Sequence, residues 1–337
     1  MPDVRVVLLL LLVSLGIWAG WLLLMPSSLD AGNPLPYIAP ATEQPITPIP
    51  DSLVLDPRKV KLGRRLFNDK RLSRDDTVSC ASCHSLNLAG ADAQPVAKGV
   101  ANQLGTVNSP TVLNSVFNFS QFWDGRAASL EEQAEGPVHN PIEMDTNWNA
   151  VIQKLSRDAD YLRDFKLIWP DGIQPAHLQS AIAEFERSLI TPDSPFDRYL
   201  KGDTGSLSEA ARKGWDLFRN LGCISCHQGV NLGGNMYASF GVMGDYFAAR
   251  GTPLLKSDMG RFNVTGREAD RHVFKVPTLR NVERTAPYFH DGSVAKLEQA
   301  VVLMARYQLG VELSATERSA LVAFLTALNG RLPEITP

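Results

Sequence analysis

The sequence predicts a mainly α-helical protein built from two tandem globular units behind an apolar N-terminal segment. Three observations predict it. Helix-start signals recur along the chain while alternating strand patterns are scarce. One short cysteine motif occurs twice, 143 residues apart. The chain has 337 residues, about twice the length of a typical domain.

Hydrophobic residues make up 44% of the chain and charged residues 20%, enough apolar material for real cores and too much for a disordered or collagen-like protein. The net charge of −3, with no long basic run, argues against nucleic acid as a partner. Only four cysteines are present, too few for a disulfide-stapled scaffold of this length.

The elements follow in order. Residues 6–25 carry no charge and are dense in Leu and Val, and twenty helical residues span the roughly 30 Å hydrocarbon core of a bilayer. An uncleaved membrane anchor fits this length better than a signal peptide, although Ser27–Gly32 could supply a cleavage site. Either alternative exports the rest of the chain to the periplasm, tethered to the inner membrane or free. Residues 26–50 hold seven prolines and read as an extended, semi-rigid linker. Beyond them the chain repeats itself. Gly63-x-x-Leu66-Phe67 precedes Cys80-Ala-Ser-Cys83-His84, and Gly214-x-x-Leu217-Phe218 precedes Cys223-Ile-Ser-Cys226-His227. A duplicated unit is the simplest account, with domains over 51–204 and 205–337. Capping boxes are expected at Ser129/Glu132, Ser206/Glu209 and Ser314/Glu317, the last opening an amphipathic helix through Leu321, Phe324, Leu325 and Leu328.

Cys-x-x-Cys-His is the attachment pattern of c-type haem. The two thiols each add to one vinyl group, and the next residue sets an imidazole under the iron. Two covalently bound haems are therefore expected, on Cys80, Cys83 and His84 and on Cys223, Cys226 and His227. A Cys₄ zinc site or a redox Cys-x-x-Cys pair would need no His after both pairs. Two haems alone leave an electron carrier and an enzyme both open, since the sixth ligand decides between them.

Several further segments resemble the bacterial dihaem cytochrome c peroxidases. They are Asn108-Ser-Pro-Thr-Val-Leu-Asn114, Gln121-Phe-Trp-Asp-Gly-Arg126, Gly136-Pro-Val-His-Asn-Pro-Ile-Glu-Met144, Thr191-Pro-Asp-Ser-Pro-Phe-Asp197, Asn231-Leu-Gly-Gly234, Thr285-Ala-Pro-Tyr-Phe-His290 and Gln308-Leu-Gly310. The resemblance runs from about residue 53 to residue 330. It implies two cytochrome c-like haem domains in tandem, the first haem peroxidatic and the second the entry point for electrons. It implies Met304 as the distal ligand of the second haem, Glu143 as the distal carboxylate of the first with Gln133 beside it, and Trp123 between the two. It also implies a calcium ion held by Asn108 and the carbonyls of Thr285 and Pro287, although no acidic calcium loop is visible. The substrate it implies is hydrogen peroxide, and the electron donor a small cytochrome c or copper protein; a homodimer is a further expectation.

One departure stands out. Many members place a His in a loop after the first haem motif, where it caps the oxidised iron. The equivalent stretch here is Lys98-Gly-Val100-Ala-Asn-Gln103, and Val100 cannot ligate iron. The first haem is therefore expected to lack that cap, with His139 the one candidate substitute and more simply an exposed His. His177 reads as a surface residue, and His272 and His290 as packing or propionate partners. An uncapped haem also fits the related methylamine dehydrogenase maturation enzymes, which oxidise side chains of a partner protein. Those carry a Tyr where this chain has Met304, which favours the peroxidase; a plain dihaem carrier would gain nothing from Glu143 or an open iron.

Overall fold

Helices form wherever the sequence supplies a cap and an apolar stripe. The computed structural model describes residues 45–333, so the expected anchor at 6–25 and most of the linker lie outside the described residues. Among the described residues no helix is long and apolar enough to cross a membrane. The end of the expected linker behaves otherwise than a tether. Ile46 and Ile49 are buried, the Ile49 N–H donates to Asp197 Oδ1, and the Pro45 carbonyl accepts from Gly229. Two isoleucines spaced among the prolines give this stretch an apolar face to bury, which spacer composition alone conceals.

The body from residue 45 onwards is mainly helical and holds two principal cores. In the first, α1 (Pro57–Asn68) begins with Asp56 accepting from the Arg58 N–H and Pro57 at the first helical position. It packs against α5 (Pro175–Arg187), with α2 (Leu130–His139), α3 (Trp148–Leu155) and α4 (Ala159–Ile168) completing a core of Leu62, Leu66, Val151, Phe165, Ala181 and Ile182. In the second, α6 (Pro195–Leu200), α7 (Glu209–Asn220) and α9 (Ala315–Thr326) gather Phe196, Trp215, Phe218, Phe324 and Leu328. Between α7 and α9 the chain runs through long loops, one short antiparallel pair, β1 (Tyr237–Ser239) with β2 (Val273–Lys275), and α8 (Leu297–Met304). The box at Ser314/Glu317 forms as expected, whereas at Ser129 only half of it does: the hydroxyl accepts from the Glu132 N–H, but the Glu132 carboxylate accepts from the Ala128 N–H. The third expected box, Ser206/Glu209, does not form: the helix starts at Glu209 with Ser208 as its cap, accepting from the Ala211 N–H, while the Ser206 hydroxyl donates to the carbonyls of Pro195 and Asp203.

The internal repeat has a structural meaning. Gly63 of α1 lies so close to α5 that an added Cβ would sit 1.8 Å from the Ala181 carbonyl oxygen and 2.9 Å from Phe185 Cβ. Gly214 of α7 meets α9 the same way, 1.9 Å from the Ala320 carbonyl and 2.8 Å from Phe324 Cβ. Each unit thus carries one helix pair pressed backbone to backbone on a glycine. Gly214→Ala must push α9 away, and overpacking of this kind costs about 1–3 kcal/mol or more. The denaturant midpoint of Gly214→Ala is expected to fall accordingly. An unchanged midpoint would mean that the crossing opens freely.

Candidate active site

Two cavities lie beside these helix pairs, and each is floored by one Cys-x-x-Cys-His motif. The first, about 130 Å³, is lined by Cys80, Cys83, His84, Gln133 and Glu143. The second, about 500 Å³, is lined by Cys223, Cys226, His227, Trp123 and Met304. Residues 108–111 line both.

Both histidines are oriented by a main-chain hydrogen bond and would be able to ligate an iron. The His84 Nδ1–H donates to the Gly90 carbonyl at 3.3 Å, and the His227 Nδ1–H donates to that of Leu232 at 3.2 Å. Each bond fixes the tautomer and leaves Nε2 as the basic nitrogen. Burial pulls the His84 pKa below its ordinary value and that of His227 down to about 4, so both rings stay neutral. The backbone around them is duplicated as well. Pro110-Thr111-x-x-Asn114 beside His84 and Pro277-Thr278-x-x-Asn281 beside His227 each have the threonine hydroxyl accepting from the N–H two residues on. Each ends in a left-handed asparagine, with φ of 61° and 60°.

All four thiols are free, and burial pushes Cys80 up to about 12 and Cys83 and Cys223 up to about 11. Neutral, buried thiols oppose a reactive redox pair. The two pairs stand in different cavities, so they cannot share one zinc ion. Among the described residues the only cluster of three or more metal-ligating side chains is Asp258, His290 and Asp291. The Arg250 guanidinium occupies that cluster, binding Asp258 through two nitrogens and reaching Asp291 at 2.8 Å. Paired thiols, an adjacent neutral imidazole and an apolar cavity form the donor set of haem c, and the residues fit that group at both sites.

Part of the first lining is built by α2 and the loop after it. Gln133 projects from α2, and Glu143 follows the Asn140 C-cap, whose Nδ2 donates to Glu143 Oε1 at 2.7 Å. Burial raises the Glu143 pKa above its ordinary value, against the opposing Asn140 hydrogen bond and the charge of Arg126. A carboxyl whose pKa is raised is a better proton acceptor than a free one and can still return the proton. The loop carrying Val100 closes beside it. The Val100 N–H donates to the Glu143 carbonyl at 2.8 Å, and its side chain is wholly buried in the first core. Among the described residues His84 is the only histidine in this lining; His139 ends α2 exposed, 3.6 Å from Glu135.

In the second cavity Met304 ends α8, where a π-helical turn over Ala305–Leu309 follows. Gln308 pins that turn to the loop after β1, accepting from the Gly241 N–H and donating to the Ser239 carbonyl. The Trp123 indole N–H donates to the Asn108 carbonyl at 2.9 Å, which ties the tryptophan to the wall shared by the two cavities. Asn108 Nδ2 donates to the Gln94 carbonyl, so its Oδ1 is the atom left for a cation; Thr285 and Pro287 line the same cavity. His290 packs edge-on to Trp123 and donates through Nε2 to Asp258, while His272 stacks on Phe247 and His177 on Trp169. Burial would raise Asp258, but Arg250, the Leu255 N–H and His290 hold it at about 2.

The structure thus brings every expected haem-site residue to one cavity or the other. It adds Lys275 and Glu186, which carry no motif signal because long-range folding alone places them, and Arg126, which closes the Gln121–Arg126 segment but has no role among the sequence-based expectations. Glu186, on α5, is buried in the first lining, and burial pushes its carboxyl up to about 8. Its native form therefore keeps a proton that the unfolded chain releases between about pH 4.5 and 8, and folding stability falls as pH rises through that window. Glu186→Gln stays neutral throughout, so its stability advantage over the parent should grow from pH 5 to pH 8 in denaturant titrations. A constant difference would count against a protonated Glu186.

The comparisons with known proteins agree on the family. The chain belongs to the di-haem cytochrome c peroxidase family: the family model of that description matches residues 57–205, and whole-length relatives carry the assignment through the rest. Among them, cytochrome c551 peroxidase of Nitrosomonas europaea is 43% identical over 87% of this chain and 86% of its own length. Cytochrome c peroxidase Ccp of Escherichia coli is 48% identical over 85% of this chain, which spans 61% of that longer relative. The methylamine utilization protein MauG of Methylorubrum extorquens is 33% identical over 86% of the chain and 83% of its own length. Of solved structures, a MauG-like protein associated with microbial copper homeostasis superposes with a TM-score of 0.73 at 30% identity, covering 88% of this chain and 95% of that one.

Proposed function

We propose that this protein reduces hydrogen peroxide to two waters, consuming two protons and two electrons delivered singly by a small cytochrome c or copper protein. The observation that carries the reading is the first cavity, where the Glu143 carboxyl, its pKa raised by burial, and Gln133 share the lining with His84 and no second histidine of the described residues intrudes. Haem bound there supplies the redox-active iron that takes peroxide. Glu143 moves a proton from the near to the far peroxide oxygen, and Gln133 orients the bound peroxide by hydrogen bonding. Electrons enter at the site of His227 and Met304, and thioether ligation suits a haem that must accept them. Trp123, tied to the Asn108 carbonyl in the shared wall, lies on the route between the sites. We assign the two cores to haem domains close to 51–204 and 205–337, the second core also taking in Ile46 and α6 from before residue 205, and Asn108 Oδ1 with the Thr285 and Pro287 carbonyls to a calcium ion. The N-terminal segment holds the protein at the inner membrane facing the periplasm, or is cleaved to release it there. Met304 and the higher identity to the peroxidases favour this reading over oxidation of a partner protein.

Val100 makes the first haem open from the start. Enzyme started fully ferric should therefore oxidise reduced cytochrome c with peroxide at the same rate, and without lag, as enzyme whose second haem has been pre-reduced. Turnover only after pre-reduction would mean that another ligand caps the first iron. A long-lived oxidised state with negligible cytochrome oxidation would favour the partner-oxidising reading.

A further inference from the structure

The second cavity is mainly apolar, and Lys275 is the one Lys, Arg, Asp or Glu in its lining. Lys275 ends β2 opposite Tyr237, and its backbone N–H donates to the Trp123 carbonyl at 2.8 Å, so its place beside the tryptophan is set by main-chain bonds. Only 6% of the residue is exposed. Among the described residues no carboxylate pairs with its ammonium, and burial alone pulls its pKa down to about 8. Two other sequestered cations have their acids: Arg250 has Asp258 and Asp291, and the fully buried Arg280 has Asp197 at 2.8 Å. A buried charge without a partner is strongly unfavourable, and such charges are found paired. The haem assigned to this cavity brings two carboxylates of its own.

We propose that the Lys275 ammonium pairs with a carboxylate of the haem held by Cys223, Cys226 and His227, and so favours the ferrous state of that iron. The inference rests on the haem reading above. Reduction adds one electron to the iron and breaks no bond, so a cation held close lowers the energy of the reduced form relative to the oxidised one. Lys275 touches neither peroxide nor the iron; it is a positioning residue that orients the ring and sets its potential.

The test is an equilibrium redox titration of the haem-loaded protein followed by visible absorption, without peroxide and in excess calcium so that any cation at Asn108 is constant. Lys275→Gln should shift the ferric–ferrous ratio of the Met-ligated haem about tenfold towards ferric at a fixed potential, roughly 59 mV for a one-electron couple. The other haem should stay unmoved, and Lys275→Arg should restore most of the shift. A Gln variant with an unmoved couple would overturn the proposal, as would an Arg variant shifted as far as Gln or a common shift of both haems. Absence of a second haem couple in the parent would instead overturn the haem reading itself.

Discussion

Glu143→Gln is expected to lower peroxide turnover about 10²–10⁴-fold, the usual worth of a positioned acid–base group. The substitution keeps the shape and the Asn140 contact, so haem content and both haem spectra should stay as in the parent. The raised pKa is what makes the residue useful: a carboxyl at its ordinary value near 4.3 would be a weak proton acceptor, and burial lifts this one towards working pH. The pH profile follows with its sign. The carboxylate form accepts the first proton, so the rate should rise with pH through the raised pKa of Glu143, and Glu143→Gln should lose that limb. Unchanged turnover in the Gln variant would leave a plain electron carrier as the better description.

The second large effect is expected at Met304. Leucine is close in volume, and such swaps in a packed site cost less than about 1.5 kcal/mol, so Met304→Leu should fold and load haem. If Met304 only filled space, little else would change. As an iron ligand its loss should open the second haem, convert it from low to high spin, and drop its potential steeply, since axial ligation spans roughly 0.8 V across haem proteins. Cytochrome oxidation with peroxide should then nearly cease, because electrons no longer enter favourably. A Leu variant with the parent spectrum and potential would remove Met304 from the iron.

The two effects separate the two sites. Loss at Glu143 should leave electron entry intact and stop proton movement; loss at Met304 should leave the first cavity intact and stop its electron supply. Their distances along the chain, 161 residues apart, say nothing of this division. It comes from residues 108–111 forming a wall common to both cavities.

Much of the site was legible in the sequence. Covalent attachment is local chemistry: two thiols and an imidazole within five residues define a haem site whatever the rest of the fold does. The Gly-x-x-Leu-Phe repeat and the helix caps are equally local, because a Cβ-free position and a side-chain oxygen act on immediate neighbours. The resemblance to known peroxidases added Glu143, Gln133, Trp123 and Met304, and the structure puts each in a haem cavity. What the tertiary structure alone decided is everything that depends on distant segments meeting. It turned the end of the proline stretch into core through Ile46 and Ile49, moved one cap to Ser208, and left His139 outside the first lining. It set a carboxyl and an ammonium, Glu186 and Lys275, into the walls of two apolar cavities. A charged residue in a sequence reads as surface by default, and only burial against residues far along the chain reveals that its solvent has been replaced.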